Sequence, residues 1–247
     1  MANISFQTFS TRNFPVEGTF ALLEKTGVKE VEGFGPYYDD AAKTKAQLEA
    51  HGLSMPTGHF ALTMVEGEPE RTIDVAKTYG MEAVIVPYIM PEDRPTDLAG
   101  WKAFGARLAE AAKPIVAAGF QFGYHNHDFE FVALEDGSYP IEHIANASDD
   151  INLELDLAWI VVAGLDPVEW INKYSGRIIA AHVKDRAPDG ENADESGWAD
   201  LGHGRIVWPP IVAALKAANV KRYVMEHDNP NDEVRFITRS FATAQTF

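Results

Sequence analysis

From one end to the other, the chain alternates short apolar runs with longer stretches whose apolar residues recur every three to four positions. The runs are Ile4 to Phe9, Lys29 to Gly33, Ser54 to Phe60, Ala83 to Tyr88, Phe120 to His127, Ile151 to Leu157, Ile178 to Lys184 and Tyr223 to Asp228. Helical spacing fills the gaps at Val16 to Thr26, Ala41 to His51, Glu68 to Tyr79 and Asp97 to Ala118. It continues at Pro140 to Ala147, Pro167 to Tyr174 and Pro209 to Ala218, with a last helical stretch near Asp232 to Ala244. Proline is tolerated in a first helical turn, and Gly27, Gly80 and Gly119 fall where left-handed caps would stop helices. Strict alternation implies a parallel sheet covered by helices. Eight such units in 247 residues predict the α/β class and closure into a single (β/α)8 (TIM) barrel, one domain over residues 1–247. An open doubly wound sheet would want a glycine-rich phosphate turn after the first strand. That segment, Thr8-Phe9-Ser10-Thr11-Arg12-Asn13, contains no glycine.

Composition removes several function classes. Lys and Arg total 21 against 37 Asp and Glu, a net charge of −16, so a phosphate backbone would be repelled and no nucleic-acid partner is expected. The absence of cysteine removes disulfide frameworks, thiol nucleophiles and Cys-ligated zinc together. No run approaches the ~20 apolar residues that span a bilayer, so no membrane partner is expected. The start, Met1 to Gln7, lacks the basic flank and apolar core of a signal peptide, which points to the cytoplasm. A homo-oligomer is left open.

Chemistry in a barrel gathers at the C-terminal ends of the strands, and the unusual polar residues of this chain lie there. The third strand ends in Gly58-His59-Phe60 and the fifth in Tyr124-His125-Asn126-His127-Asp128. The sixth ends in Leu153-Glu154-Leu155-Asp156, the seventh in His182-Val183-Lys184-Asp185, and the eighth in Met225-Glu226-His227-Asp228. Side chains alternate along a strand. The leucines of the sixth strand must meet the helices, so Glu154 and Asp156 point inward; the same parity turns His182, Lys184 and Glu226 inward and His227 outward. Asp156, His182 and Glu226 therefore converge on the axis, where several carboxylates are costly to bury without a compensating cation. Carboxylates with imidazole suit one divalent metal ion, Mn2+, Mg2+, Co2+ or Zn2+. The fifth strand supplies the fourth metal ligand, His125, with Glu130 as the alternative. The longest irregular segment, Asp185 to Leu201, follows a strand on this active face.

These blocks resemble the xylose-isomerase-like barrel superfamily, the sugar phosphate isomerase/epimerase group. The resemblance is carried by Tyr124 to Phe131, Leu153 to Trp159, Ala163-Gly164-Leu165-Asp166-Pro167, and Gly176-Arg177-Ile178 leading to His182-Val183-Lys184-Asp185. It implies one metal, with Mn2+ the first choice, held by Glu, Asp, His and Glu of four late strands; Asp156, His182 and Glu226 match the last three. His125 stands where related members often carry glutamate. The resemblance also implies proton transfer by two metal-bound glutamates on opposite faces of a sugar, and His125 in place of one of them leans toward a variant chemistry. In Leu201-Gly202-His203-Gly204 a histidine lies near a position where an acidic residue is expected.

The expectation is a divalent-metal-dependent isomerase or epimerase that moves a proton next to the carbonyl of a keto-sugar, glycoside or cyclitol, its partner being that small carbohydrate. Glu226 is the candidate base, with His125 or His127 handling the second proton. His59, Glu154, Lys184 and His203 are candidate substrate-binding residues, and Phe9, Phe34, Tyr88 and Trp159 a candidate apolar floor. The alternatives are a metal-dependent lyase or dehydratase on 3-keto-glycosides or inososes, and a non-catalytic sugar-binding barrel.

Overall fold

The computed structural model describes residues 2–247. Eight parallel strands close into a barrel: β1 (Asn3–Gln7), β2 (Glu30–Phe34), β3 (Ser54–His59), β4 (Ala83–Val86), β5 (Gln121–His125), β6 (Ile151–Asp156), β7 (Ile178–Val183) and β8 (Arg222–Met225). Each strand pairs with its neighbour in sequence, and β8 pairs with β1 to shut the ring. The α-helices are α1 (Val16–Thr26), α2 (Ala41–Ala50), α3 (Leu62–Gly67), α4 (Pro69–Tyr79), α5 (Leu98–Ala117), α6 (Pro140–Ala145), α7 (Leu157–Val162), α8 (Pro167–Lys173), α9 (Trp208–Ala217) and α10 (Glu233–Ala244). The single closed (β/α)8 barrel expected from the alternation is therefore the fold. Among the described residues, no helix is long and apolar enough to cross a membrane.

The apolar core lies between strands and helices, where Val84, Phe122, Leu153, Leu155, Ala181 and Met225 are buried. Inside the ring the composition changes sign. At the N-terminal pole Arg222 reaches Glu30 at 2.8 Å and Glu82 at 3.3 Å, an ion-pair plug. At the C-terminal pole the interior is filled by carboxylates and imidazoles, described below.

Two helices of six residues, α3 and α7, were not anticipated. Neither opens on the proline that marks the equally short α6 and α8, and α7 follows β6 with no intervening loop. The irregular segment after β7 also holds a two-stranded antiparallel ribbon, Asp185–Arg186 with Trp198–Ala199. Its anchor is the buried Asp185 carboxylate, which accepts from the backbone N–H groups of Gly202 and Ile206 and from Trp208 Nε1 at 2.9–3.0 Å.

Helix α5 packs against α6 so closely that a Cβ on Gly105 would stand 2.5 Å from the His143 carbonyl oxygen, a backbone atom. Glycine to alanine inside a helix ordinarily stabilises by about 1 kcal/mol. Here overpacking reverses the sign, and Gly105→Ala is expected to destabilise by about 2 kcal/mol, read as a lower urea midpoint. An unchanged or higher midpoint would contradict this packing.

Candidate metal centre

Strand parity delivers the site. From β6, Glu154 and Asp156 enter the barrel while Leu153 and Leu155 face the helices; all four are buried. Asp156 divides its oxygens. Oδ1 caps α7 by accepting from Trp159 N at 2.9 Å, and Oδ2 faces the interior with the Lys184 ammonium 2.9 Å away. Asn126 locks the ends of β5 and β6 together, donating to the Asp156 carbonyl at 3.1 Å and accepting from Asp156 N at 3.0 Å. His125 and Asp156 are thus held in register.

His125, Asp156, His182 and Glu226 each offer one ligand atom within 4.8 Å of the others, and all four are buried. His125 Nε2 lies 3.9 Å and His182 Nδ1 4.0 Å from Asp156 Oδ2. Such separations suit donors placed ~2.0–2.2 Å from one ion. The donor set of two imidazoles and two carboxylates suits a borderline divalent cation, and Asp156 Oδ2, with the Lys184 ammonium on one side at 2.9 Å, turns toward the two imidazoles.

The other nitrogen of each imidazole points deeper. His125 Nδ1 lies 3.0 Å from Glu154, and His182 Nε2 lies 2.7 Å from Glu32. A carboxylate behind a histidine fixes its tautomer and leaves the far nitrogen free for a metal. Glu154 also meets His59 Nε2 at 2.6 Å, and Glu32 accepts from Gln7 at 2.8 Å. Glu32 was not anticipated: in Glu30-Val31-Glu32 the alternation reads equally well as a strand with one solvated face.

The electrostatics follow from burial. Burial alone would raise the pKa of Glu32, yet the charge of His59 and the His182 hydrogen bond hold it well below the carboxylate range. Burial opposes a charge on His59, but Glu32 and Glu154 carry its pKa up to about 9. Burial and the neighbouring His182 push His125 well below the imidazole range. His127, buried and near Lys184, falls to about 3 and stays neutral.

The expected residues sort clearly. A cavity of about 510 Å3 opens above the cluster, with His59, His125, His127 and Glu226 on its wall. Phe9, Phe34 and Tyr88 line it as well, whereas Trp159 packs on Trp198 instead. Lys184 is buried away from the cavity. Its ammonium lies 2.9 Å from Asp156, 2.9 Å from Glu226 and 2.8 Å from Asp228, under the rings of Trp159 and Trp198. Its three donors face three carboxylates, so the expected contact with substrate gives way to holding those carboxylates in place. Glu154 sits beneath the histidines, fully buried, rather than on the cavity wall. His203 is exposed in a turn after Gly202 (φ 79°) and is not among the lining residues, because the loop anchored on Asp185 carries it outward. Glu130, the alternative ligand, is also elsewhere. Tyr124 has the parity opposite to His125 and points out of the barrel; Glu130 accepts from its hydroxyl at 2.6 Å and from His127 N at 2.8 Å.

Residues 20–241 match the family described as xylose isomerase-like TIM barrel. The chain belongs to that family. Solved structures of similar fold include a sugar phosphate isomerase/epimerase from Parabacteroides distasonis, at TM-score 0.84 and 20% identity over 99% of this chain and 93% of that one. The IOLI protein with a bound zinc atom aligns at TM-score 0.74 and 19% identity, over 100% and 96%. An L-ribulose 3-epimerase aligns at 0.72 and 17%, over 100% and 94%. A comparison with curated proteins finds no match. In this xylose isomerase-like chain the buried cluster occupies the C-terminal mouth, where barrel chemistry is sited.

Glu130 permits a test of the burial argument. Burial pushes its carboxyl up to about 7, so between the ordinary carboxyl range and pH 7 the folded chain holds a proton that the unfolded chain has released. Stability must fall as pH rises through that window, and the loss is complete above it. Glu130→Gln removes this term. Relative to the parent, the variant should gain up to about 3 kcal/mol between pH 4.5 and pH 8, measured by urea unfolding at each pH. A difference that does not change with pH would contradict it.

Proposed function

We propose that this barrel is a divalent-metal-dependent isomerase or epimerase that transfers a proton at the carbon next to the carbonyl of a keto-sugar, glycoside or cyclitol. The observation that carries the reading is the ring of His125, Asp156, His182 and Glu226, with one donor atom from each within 4.8 Å of the rest and with His125 and Glu226 lining a cavity. These four would hold the ion, with Mn2+ the first choice and Mg2+, Co2+ or Zn2+ alternatives. A divalent ion there supplies Lewis-acid polarisation of a carbonyl and its neighbouring hydroxyl, which lowers the cost of negative charge developing on oxygen. The similarity in fold to a protein with a bound zinc atom and to an L-ribulose 3-epimerase is consistent with this.

Glu226 takes the carbon-bound proton. Its contacts with His182 and Lys184 both fall on Oε2, which leaves Oε1 to face the substrate. Lys184 and His182 keep the carboxylate ionised: burial would raise its pKa, and the Lys184 ammonium with the hydrogen bond from His182 brings it well below the carboxylate range. His127 handles the second proton. It lies on the cavity wall, with the ring of Tyr88 against it. His59 forms part of the cavity floor, with Nε2 held by Glu154 and Nδ1 beside Gln7.

One observation favours a second reading. His125 stands where the resemblance leads to glutamate, so the cluster lacks the symmetrical pair of carboxylate bases. Proton removal by Glu226 followed by loss of a substituent, a lyase or dehydratase reaction on a 3-keto-glycoside or inosose, needs only one such base.

The test is deuterium uptake from D2O beside the carbonyl of a panel of keto-sugars and 3-keto-glycosides with Mn2+ present. Exchange should stop on chelation and fall at least ~100-fold in Glu226→Gln. An epimer among the products supports the first reading and an unsaturated product the second. Absence of exchange across the panel, or exchange that ignores both chelation and Glu226, overturns the proposal and favours a non-catalytic sugar-binding barrel.

A further inference from the structure

The cavity is off-centre. Its lining comes from the ends of β1 to β5 and from Glu226 and Asp228 after β8, while Trp159 and Trp198 cover Lys184 on the other side. Only the floor is rich in polar groups. Above it the wall is built from Leu62, Ile89 and Phe104, each less than a tenth exposed, and the rim from Phe9, Tyr88 and Met90.

The rim supplies a second, independent observation. Phe9, Tyr88 and Met90 are 38%, 40% and 53% exposed, and they are three of the seven large hydrophobic side chains that the described residues leave in solvent. Scattered singly, such residues mean little, but gathered at one cavity mouth they mark a binding surface. A volume of about 510 Å3 is on the scale of pockets for drug-sized ligands, roughly 300–1,000 Å3, more than a single sugar ring needs. A free sugar carries hydroxyls on every side, and those turned toward Leu62, Ile89 and Phe104 would be desolvated without partners. Asp93 and Arg107 do line the far edge, but both are exposed, and Arg107 is already paired with Glu66 through two contacts of 2.6 Å.

We infer that the substrate is a sugar carrying an apolar, ring-sized substituent: the sugar rests on the His59, His125 and Glu226 floor, and the substituent lies along the Leu62, Ile89 and Phe104 wall beneath the aromatic rim. This rests on the proposed function for the sugar end and adds the class of group attached to it.

Binding of unreactive probes separates the two ideas, since it needs no proton transfer. Phenyl β-D-glucopyranoside, methyl β-D-glucopyranoside, methyl β-cellobioside and phenol are titrated calorimetrically into the Mn2+-supplied protein. The phenyl glucoside should bind 10- to 100-fold more tightly than the methyl glucoside, the range expected for burying a ring's apolar surface. It should also exceed the cellobioside and phenol. In Phe9→Ala and in Ile89→Asn the phenyl advantage should shrink at least threefold while methyl glucoside affinity changes less than twofold. Because Phe9 lies at the exposed rim, its variant reads the effect even if the buried Ile89 substitution disturbs folding. Equal affinities for the phenyl and methyl glucosides, tighter binding of the hydroxylated disaccharide, or phenol binding as well as its glucoside would each overturn the inference. A retained phenyl preference without exchange on any keto-sugar would leave the inference standing and overturn the proposed function instead.

Discussion

Four carboxylates, those of Glu32, Glu154, Asp156 and Glu226, are buried at one pole of the barrel, and the rest of the site is arranged around the cost of keeping them there. A buried carboxylate without a counter-charge is expensive, and paired charges recover that cost only when geometry and hydrogen bonds are good. Lys184 spends its ammonium on Asp156, Glu226 and Asp228. His182 stands between Glu226 and Glu32, and His59 between Glu32 and Glu154. Even so, Glu32 Oε2 and Glu154 Oε1 have no hydrogen-bond partner in the protein. A set of buried acceptors in excess of donors is what a cation site requires, and Asp156 Oδ2, beside Lys184, faces the ring of candidate ligands.

The cluster works as two layers. The upper layer groups His125, Asp156, His182 and Glu226, of which His125 and Glu226 line the cavity. The lower layer, Glu32 and Glu154, grips the same histidines from behind, fixing which nitrogen is free. That division explains why Glu154, facing the barrel interior as its parity demands, does not reach the cavity: it is one step too deep along β6. It also explains why substitutions in the lower layer are expected to act through the histidines rather than through substrate contact.

Much of this was legible in the sequence because it depends on parity. Leu153 and Leu155 must face the helices, so Asp156 must face inward, and the same reasoning fixes His182 and Glu226. The strand count and the helices long enough to show periodicity were legible for the same reason. What depends on contacts between distant segments was not. Glu32 gains its role only when β2 comes round to His59 and His182. Lys184 shares the parity of His182, but nothing local shows the indoles of Trp159 and Trp198 closing over it. His203 is carried outward by a loop whose anchor, Asp185, acts across as many as 23 residues. The chemistry of the cavity, apolar above a polar floor, comes from the ends of six strands and from helix α5 and has no linear signature.

The central claim is that His125, Asp156, His182 and Glu226 hold one divalent ion together. Elemental analysis of the protein after loading with Mn2+ and exhaustive dialysis tests it most directly, alongside Asp156→Asn and His182→Ala carried through the same procedure and checked for folding by circular dichroism. One ion per chain is expected in the parent, and at least about a tenfold loss in each folded variant. Equal metal content in parent and variants, or none in the parent, would contradict it.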